Sequence, residues 1–154
     1  MVGTKATSTR VGSLLTIEWS STDRMRVVTL IGVAGLVASV AMAAFGLPPV
    51  DLHGPLHRMG IMDPLCGGTR AARLTTQGHL LAAWRYNPLG ILATLVAVLA
   101  VARLSAGLLR RRWLTVRISW TPRRIRVALA VLAIATVALE IRQQGRADLL
   151  LKSY

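Results

Sequence analysis

The stretch that decides the fold is Met62-Asp63-Pro64-Leu65-Cys66-Gly67-Gly68-Thr69-Arg70-Ala71, followed after a short interval by Asn87-Pro88-Leu89. It lies between two long apolar segments. Gly67-Gly68 indicates a turn, and Thr69 is placed to cap a short helix over about 70–76. A second short helix is expected over about 79–86. We therefore predict that the connector, residues 51–85, forms a helical hairpin that is too short to span and is interfacial or re-entrant.

The apolar segments on either side of the connector predict membrane helices. The first runs over about 27–48, carries no charged residue and ends at Pro48-Pro49. A retained anchor is favoured over a cleaved signal peptide, because this stretch exceeds the ~7–15 residues of a signal core. The second span, about 88–108, has Asn87 as its predicted N-cap and Pro88 at its first helical position.

A third span is predicted over about 125–141, where flanking arginines would have to snorkel to the interface. The predicted fold class is therefore all-α, an integral membrane protein with three transmembrane helices. A cytoplasmic tail, residues 1–26, precedes a single membrane domain, residues 27–154. On the first span, Gly35, Ser39 and Ala43 place small residues every four positions, which predicts a helix-packing stripe. The alternative is that Ala and Gly are simply abundant in this chain.

Composition and charge agree with a membrane protein. Of the 154 residues, 53% are hydrophobic and only 16% are charged, which is too apolar for a soluble domain of this size. The net charge of +13 invites a nucleic-acid function. The basic residues mostly flank apolar runs, however, so membrane topology explains them better and no nucleic-acid partner is predicted.

The distribution of Lys and Arg predicts the orientation. The tail and the basic loop, residues 103–126, hold 12 of these residues, against 7 in the connector and the C-terminal segment. The N-terminus is therefore expected in the cytoplasm and the C-terminus outside. The arginines of the basic loop are expected to act as a topogenic signal and to attract anionic lipid head groups; the candidates are Arg110, Arg111, Arg112, Arg117, Arg123, Arg124 and Arg126.

From Gly60 to Leu89, the chain resembles the DUF2752 family of small bacterial membrane proteins. Members typically carry Cys-Pro-x-Cys-Gly-x-Thr-Arg-Ala, then a short helix, then Asn-Pro before a transmembrane helix. Here the motif runs from Asp63 to Ala71, and Asp63 stands where the first cysteine is expected. The end of the third span, Glu140-Ile141-Arg142-Gln143, looks like the family's terminal helix. The resemblance implies a multi-pass protein of the bacterial inner membrane, and it implies no particular activity.

The motif residues are predicted to be structural. Arg70 is expected to clamp backbone carbonyls, although a solvated interfacial charge is the alternative. Cys66 is the only cysteine, so no disulfide within the chain is possible. It is either a small buried residue in a tight turn or a thiol activated by Arg70 and a helix N-terminus. The full set of predicted motif positions is Asp63, Pro64, Cys66, Gly67, Thr69, Arg70, Asn87 and Pro88.

No catalytic constellation is visible, and no cofactor is predicted. Asp51, His53 and His57 are candidate metal ligands, with Asp63 as a further one, but Gly54-Pro55 argues against the helix that would align the two histidines. We therefore predict a non-enzymatic accessory or scaffold subunit that contacts membrane lipids and other membrane-protein subunits. The alternative is a membrane thiol protein that uses Cys66 for exchange, lipidation or partner attachment.

Overall fold

The computed structural model describes residues 8–11, 15–47 and 62–151. This part of the chain is mostly helical. Its strands are β1 (Ser8–Val11), β2 (Leu15–Ser20) and β3 (Trp113–Ile118). Its helices are α1 (Arg26–Phe45), α2 (Gly68–Thr76), α3 (Leu80–Tyr86), α4 (Pro88–Arg110), α5 (Pro122–Gln144) and α6 (Ala147–Leu151).

Helices α1 and α4 pack side by side, and both are long and apolar enough to cross a membrane. At 1.5 Å per residue they are about 30 and 34 Å long. In the most apolar 18-residue stretch of α1, only 11% is buried inside the protein, and in the corresponding stretch of α4 22% is buried. Because most of their apolar side chains face outward, the two helices resemble lipid-facing helices more than the core of a soluble domain.

The contact between α1 and α4 uses a different glycine from the one predicted. Gly32 lies so close to Ala100 of α4 that a Cβ on Gly32 would overlap the Ala100 methyl group. Gly35 is exposed, and the position of its missing Cβ has no neighbour within 4 Å. Within the described part of this chain, Gly35 therefore does not pack against another helix. Gly35 instead borders a cleft, because α1 comes closest to α4 at Gly32, one helical turn away.

The other two residues of the predicted stripe contact α2. Ser39 is 3% exposed, and its hydroxyl donates to the carbonyl oxygen of Ala72 at 3.1 Å and lies 2.5 Å from the Thr76 hydroxyl. The carbonyl oxygen of Ala43 accepts a hydrogen bond from Nε2 of Gln77 at 3.1 Å. The second half of α1 is thus joined to the connector by hydrogen bonds as well as by close packing.

An antiparallel sheet of three strands, in the order β1-β2-β3, lies where a polar tail and a loop were predicted. The strand β2 pairs with β3 from Leu15 opposite Ile118 to Ser20 opposite Trp113. The all-α fold class is therefore wrong for this region. The sequence did carry the signal, since Leu114, Val116 and Ile118 alternate with other residues at the period of a strand.

The sheet also corrects the predicted basic loop, residues 103–126. Arg103 and Arg110 lie in α4, Arg117 lies in β3, and the last three arginines of this region lie in the first turns of α5. Only short turns separate these elements. Arg111 ends α4 in the left-handed conformation, with φ of 51°.

A partly buried ion pair joins the sheet to the two packed helices. The guanidinium of Arg103 contacts the Asp23 carboxylate at 2.7 Å, the Thr29 hydroxyl at 2.7 Å and the carbonyl oxygen of Leu114 at 2.6 Å. Arg103 thus connects the turn before α1, the helix α4 and the strand β3.

The third predicted span is helical, but it differs from the other two. Helix α5 covers 122–144. It is less hydrophobic than α1 and α4, because basic residues lie in its first turns and Glu140 lies near its end. Only α1 and α4 are long and apolar enough to count as candidate spans among the described residues. Nearly every side chain of α5 is exposed, and Gln143 is its one buried residue.

The connector folds into two short helices, α2 and α3, within its described part. Helix α2 begins at Gly68, two residues before the predicted start, and α3 begins at Leu80. The helices are linked at Gly78, which has φ of 84°. The first part of the predicted connector, residues 51–61, lies outside the described residues, as does the end of the predicted first span at 48.

Candidate functional site

The motif forms a tight turn that leads into α2. The Asp63 carboxylate accepts a hydrogen bond from the N–H of Leu65 at 2.7 Å, and the N–H of Cys66 donates to the Asp63 carbonyl at 3.1 Å. Gly67 follows in the left-handed region, with φ of 75°. This backbone conformation favours glycine, and a Cβ at Gly67 would lie 2.8 Å from Cδ2 of Leu150, so the Leu150 side chain would have to shift.

Asn87 joins this turn to the start of α4. Its Oδ1 accepts from the N–H of Leu89 at 2.9 Å, which is the predicted N-cap, and Pro88 occupies the first turn as predicted. Its Nδ2 donates to the carbonyl oxygens of Pro64 at 2.9 Å and Cys66 at 3.0 Å. Asn87 is completely buried, and both ends of its amide have partners.

Gln143 completes the same cluster from the end of α5, and the sequence analysis did not identify it. Its Nε2 donates at 3.0 Å to the carbonyl oxygens of Cys66 and Tyr86, and its side chain is completely buried. The Cys66 carbonyl therefore accepts hydrogen bonds from two buried amides, those of Asn87 and Gln143. The sequence offered one indication of the importance of Gln143, which is that it lies in the segment Glu140-Ile141-Arg142-Gln143 that resembles the family's terminal helix.

Arg70 extends the cluster to the C-terminal helix. Its guanidinium donates to the carbonyl oxygen of Leu150 at 3.4 Å and lies over the Tyr86 ring, 5.7 Å from the ring centroid. The residue is 9% exposed, so it is not a solvated interfacial charge. Carbonyl contact and ring stacking together fit the planar guanidinium better than they would fit a lysine. We call Cys66, Arg70, Asn87, Gln143 and Leu150 the motif cluster.

Cys66 is packed inside this cluster. Its side chain is 4% exposed, and its Sγ lies 3.6 Å from the Met62 sulfur. Burial raises the pKa of the Cys66 thiol, and the Asp63 carboxylate acts in the same direction, whereas Arg70 and the N–H of Gly67 oppose them. The net upward shift favours the neutral thiol, which is a weak nucleophile. This environment suits a packing residue better than an exchanging thiol.

Thr69 does not have the capping role that the sequence suggested. The N-cap of α2 is Gly67, and Thr69 is already the second residue of the helix. The αL turn at Gly67 moves the start of the helix forward, and Thr69 instead borders a cleft. The predicted structural role of Thr69 as a cap is therefore wrong.

The cleft lies between α1, α2 and α4 and has a volume of about 340 Å³. Small and apolar residues form most of its wall, and no titratable side chain lines it. Gly35 and Thr69 both border it, together with Met42, Leu89 and Ala93. The hydroxyls of Ser39 and Thr94 in this wall donate to the backbone carbonyls of Ala72 and Gly90.

The arginines of the predicted basic loop lie at the other end of the helices, away from the motif cluster. Arg110 stacks over the Trp19 ring at 6.0 Å, and Arg117 pairs with Glu18 at 3.5 Å. Arg124 donates to the carbonyl and hydroxyl oxygens of Ser119 at 3.0 and 2.8 Å. The remaining predicted positions are all exposed at this end; they are Arg111, Arg112, Arg123 and Arg126.

No group of three or more His, Cys, Asp or Glu side chains that could hold a metal ion occurs within 15–47 and 62–150. The positions considered as ligands, Asp51, His53 and His57, lie outside the described residues.

Residues 55–101 match the family described as "Protein of unknown function (DUF2752)". The match confirms the resemblance that the motif predicted. It covers the motif turn, the connector helices and the first half of α4, and it ends before Arg103. Neither a curated protein nor a solved structure matches the chain.

Proposed function

We propose that this chain is a three-span protein of the bacterial inner membrane and a non-enzymatic accessory or scaffold subunit of a membrane complex. The ends of the three helices lie in two layers, which supports three crossings. The sheet and the Asp23–Arg103 pair form one layer, which we call the sheet layer; the motif cluster with α2 and α3 forms the other, the motif layer. Helices α1, α4 and α5 each run from one layer to the other, and the 23 residues of α5 give it a length of about 34 Å.

The charges of the two layers support an N-terminus in the cytoplasm and a C-terminus outside. The sheet layer carries the arginine-rich ends of α4 and α5, whereas the motif layer carries fewer basic residues. Lys and Arg are enriched on the cytoplasmic side of membrane proteins. The sheet layer is therefore proposed to face the cytoplasm.

The observation that carries the accessory role is the isolation of α5. Its side chains from 125 to 138 are all exposed, and its buried hydrogen bonds lie at its C-terminal end. Small residues recur along this stretch, and such residues let helices approach closely in lipid. An unpacked helix fixed in place beside a packed pair offers a surface for a membrane helix of another subunit.

Site-specific crosslinking tests this role. A photoreactive residue at Ile134, which is 70% exposed on α5, is expected to give a defined product with a different membrane protein. The same residue at Ile31, 67% exposed on α1, serves as the matched control. The partner should also copurify in fixed stoichiometry and be lost in Ala133→Trp but retained in Ala102→Trp on α4.

Two results would contradict the accessory role. One is a crosslinked product formed only between two copies of this chain, which would indicate self-association. The other is an undisturbed monomer with Ile134 crosslinked to lipid alone.

A further inference from the structure

A groove at the junction of β3 and α5 combines basic and apolar side chains. Its volume is about 680 Å³. Arg123, Arg124, Ser119 and Trp120 line its upper part, and Val127 and Val131 line the part that continues along α5. We call it the interfacial groove. It belongs neither to the motif cluster nor to the cleft between α1, α2 and α4.

The groove changes from charged to apolar along a single helix face. Arg124, Val127 and Val131 are spaced i, i+3 and i+7, so they lie on the same side of α5. The side chain of Val127 is 56% exposed and that of Val131 is 60% exposed. Over about 10 Å along the helix axis, the wall therefore passes from guanidinium groups to bare aliphatic groups. A molecule with a phosphate at one end and a hydrocarbon chain at the other has the same polarity.

Trp120 lines the groove next to the arginines and is 59% exposed. Tryptophan is enriched where head groups meet acyl chains, because its ring is apolar and its N–H is polar. Together with the arginines, Trp120 places the groove at the level of the membrane interface.

The surrounding charge favours an anionic head group. The acidic side chains of the described sheet layer are Glu18 and Asp23, and they pair with Arg117 and Arg103. Arg123 and Arg124 both line the groove, and Arg124 also donates to the carbonyl and hydroxyl oxygens of Ser119. A guanidinium binds phosphate oxygens through its fork of N–H donors.

From this geometry we infer that the interfacial groove binds one anionic membrane phospholipid. Its phosphate lies at Arg123 and Arg124, and an acyl chain runs along Val127 and Val131. Nucleic acid fits the groove less well, because single strands need aromatic or polar surfaces for their bases and the lower wall is aliphatic. The inference rests on the proposed membrane placement of α5.

Fluorescence quenching by brominated lipids tests the inference on the full chain. The protein is reconstituted in phosphatidylcholine vesicles that contain brominated phosphatidylglycerol or brominated phosphatidylcholine. The signal of the groove is the part of the emission that Trp120→Phe removes. Brominated phosphatidylglycerol is expected to quench it at a lower lipid fraction than brominated phosphatidylcholine does.

Substitution of one arginine separates a site from a diffuse charge. Arg123→Gln should lower the selectivity for phosphatidylglycerol about fivefold, since a basic residue near the surface contributes about that factor. Arg123→Lys should retain most of the selectivity. Arg112→Gln is the matched control, because Arg112 is exposed on the same layer but does not line the groove. Melting curves of each variant in detergent confirm that it is folded.

Three results would overturn the inference. Equal quenching by both brominated lipids would remove the anionic preference. Equal loss in Arg112→Gln and Arg123→Gln would show a diffuse basic surface. Displacement of phosphatidylglycerol by a short oligonucleotide in an Arg123-dependent manner would favour nucleic acid. If neither lipid quenches Trp120 and a C-terminal reporter lies in the cytoplasm, the three-span proposal itself fails. If the C-terminus lies outside but the selectivity for phosphatidylglycerol is absent, only the lipid site is refuted.

Discussion

At the scale of single residues, the motif cluster is a set of buried polar groups joined by hydrogen bonds, in which Oε1 of Gln143 is left without a hydrogen-bond partner among the described residues. The carbonyl of Cys66 receives hydrogen bonds from Asn87 and Gln143, and Arg70 reaches the last helix. Buried polar groups are costly when they lose their partners. The motif therefore joins the connector, α4 and the end of α5, and we call this its junction role.

We predict that Asn87→Ala destabilises the protein by more than a cap alone would explain. The change removes the cap of α4, worth about 1 kcal/mol, and takes the Asn87 donor from the Pro64 carbonyl, at about 1–3 kcal/mol if that carbonyl stays buried. The Cys66 carbonyl keeps its hydrogen bond from Gln143. Thr69→Ala is the control and should stay within about 0.5 kcal/mol, because Thr69 is not a cap. Thermal melts in detergent measure both. Equal melting temperatures would contradict the junction role of Asn87.

We also predict that Cys66 resists maleimide in the folded protein. The thiol is buried, and burial raises its pKa, so little thiolate is exposed at neutral pH. The control is Leu65→Cys in a Cys66→Ala chain, since Leu65 is 70% exposed. The control should label rapidly, and Cys66 only after unfolding. If the two positions label at the same rate, the thiol is accessible and the alternative thiol function gains support.

At the scale of elements, α2 and α4 approach each other at a glycine. A Cβ on Gly90 would lie 2.5 Å from the carbonyl oxygen of Gly68 and 2.6 Å from Cβ of Ala71. Both neighbours belong to helix backbone or to a short side chain, so neither can move aside without shifting a helix. The connector is thus positioned on α4 by the absence of a side chain.

Gly90→Ala is therefore expected to destabilise the protein by about 1–3 kcal/mol, as overpacking does. Gly35→Ala, in the helix α1, has open space around it and should be neutral or slightly stabilising. Detergent melts of the two variants test the difference. A neutral Gly90→Ala would mean that α2 and α4 are less closely packed than the structure shows.

The pair of Asp23 and Arg103 makes the sheet layer sensitive to acid. The hydrogen bond from Arg103 lowers the pKa of Asp23 below the ordinary value of an aspartate, although partial burial opposes the shift. A lowered folded-state pKa means that the stabilisation is present above about pH 4 and is lost as the pH falls through the folded value.

Asp23→Asn should therefore melt below the wild type at neutral pH, and the difference should shrink as the pH is lowered below about 4. Melts of both proteins across this range give the measurement. Arg117→Gln, which removes a half-exposed partner of Glu18, is the control and should have a smaller effect at neutral pH. A constant difference between Asp23→Asn and wild type at every pH would contradict the pairing.

At the scale of the whole molecule, three long helices connect a basic sheet layer to the motif layer. Reporters in the N-terminal tail and after α5 test this arrangement in cells. The N-terminal reporter is expected in the cytoplasm and the C-terminal reporter outside, because the chain would cross three times. A C-terminal reporter in the cytoplasm would leave two spans, α1 and α4, and would place α5 on the membrane surface.

Features that depend on neighbouring residues could be predicted from the amino-acid sequence. The apolar runs predicted α1 and α4, Asn87-Pro88 predicted the start of α4, and the motif predicted the family. Caps, helix breakers and hydrophobic runs act over a few positions, so a single stretch of sequence is enough to identify them.

Contacts between residues far apart in the chain became visible only in the three-dimensional structure. Gln143 meets Cys66 across 77 positions, and Arg103 meets Asp23 across 80. The sheet likewise pairs β2 with a strand that follows α4. No local pattern states which distant group will satisfy a buried amide, guanidinium or strand edge. Those partners are chosen only when packing brings the segments together and desolvation makes an unpaired group costly.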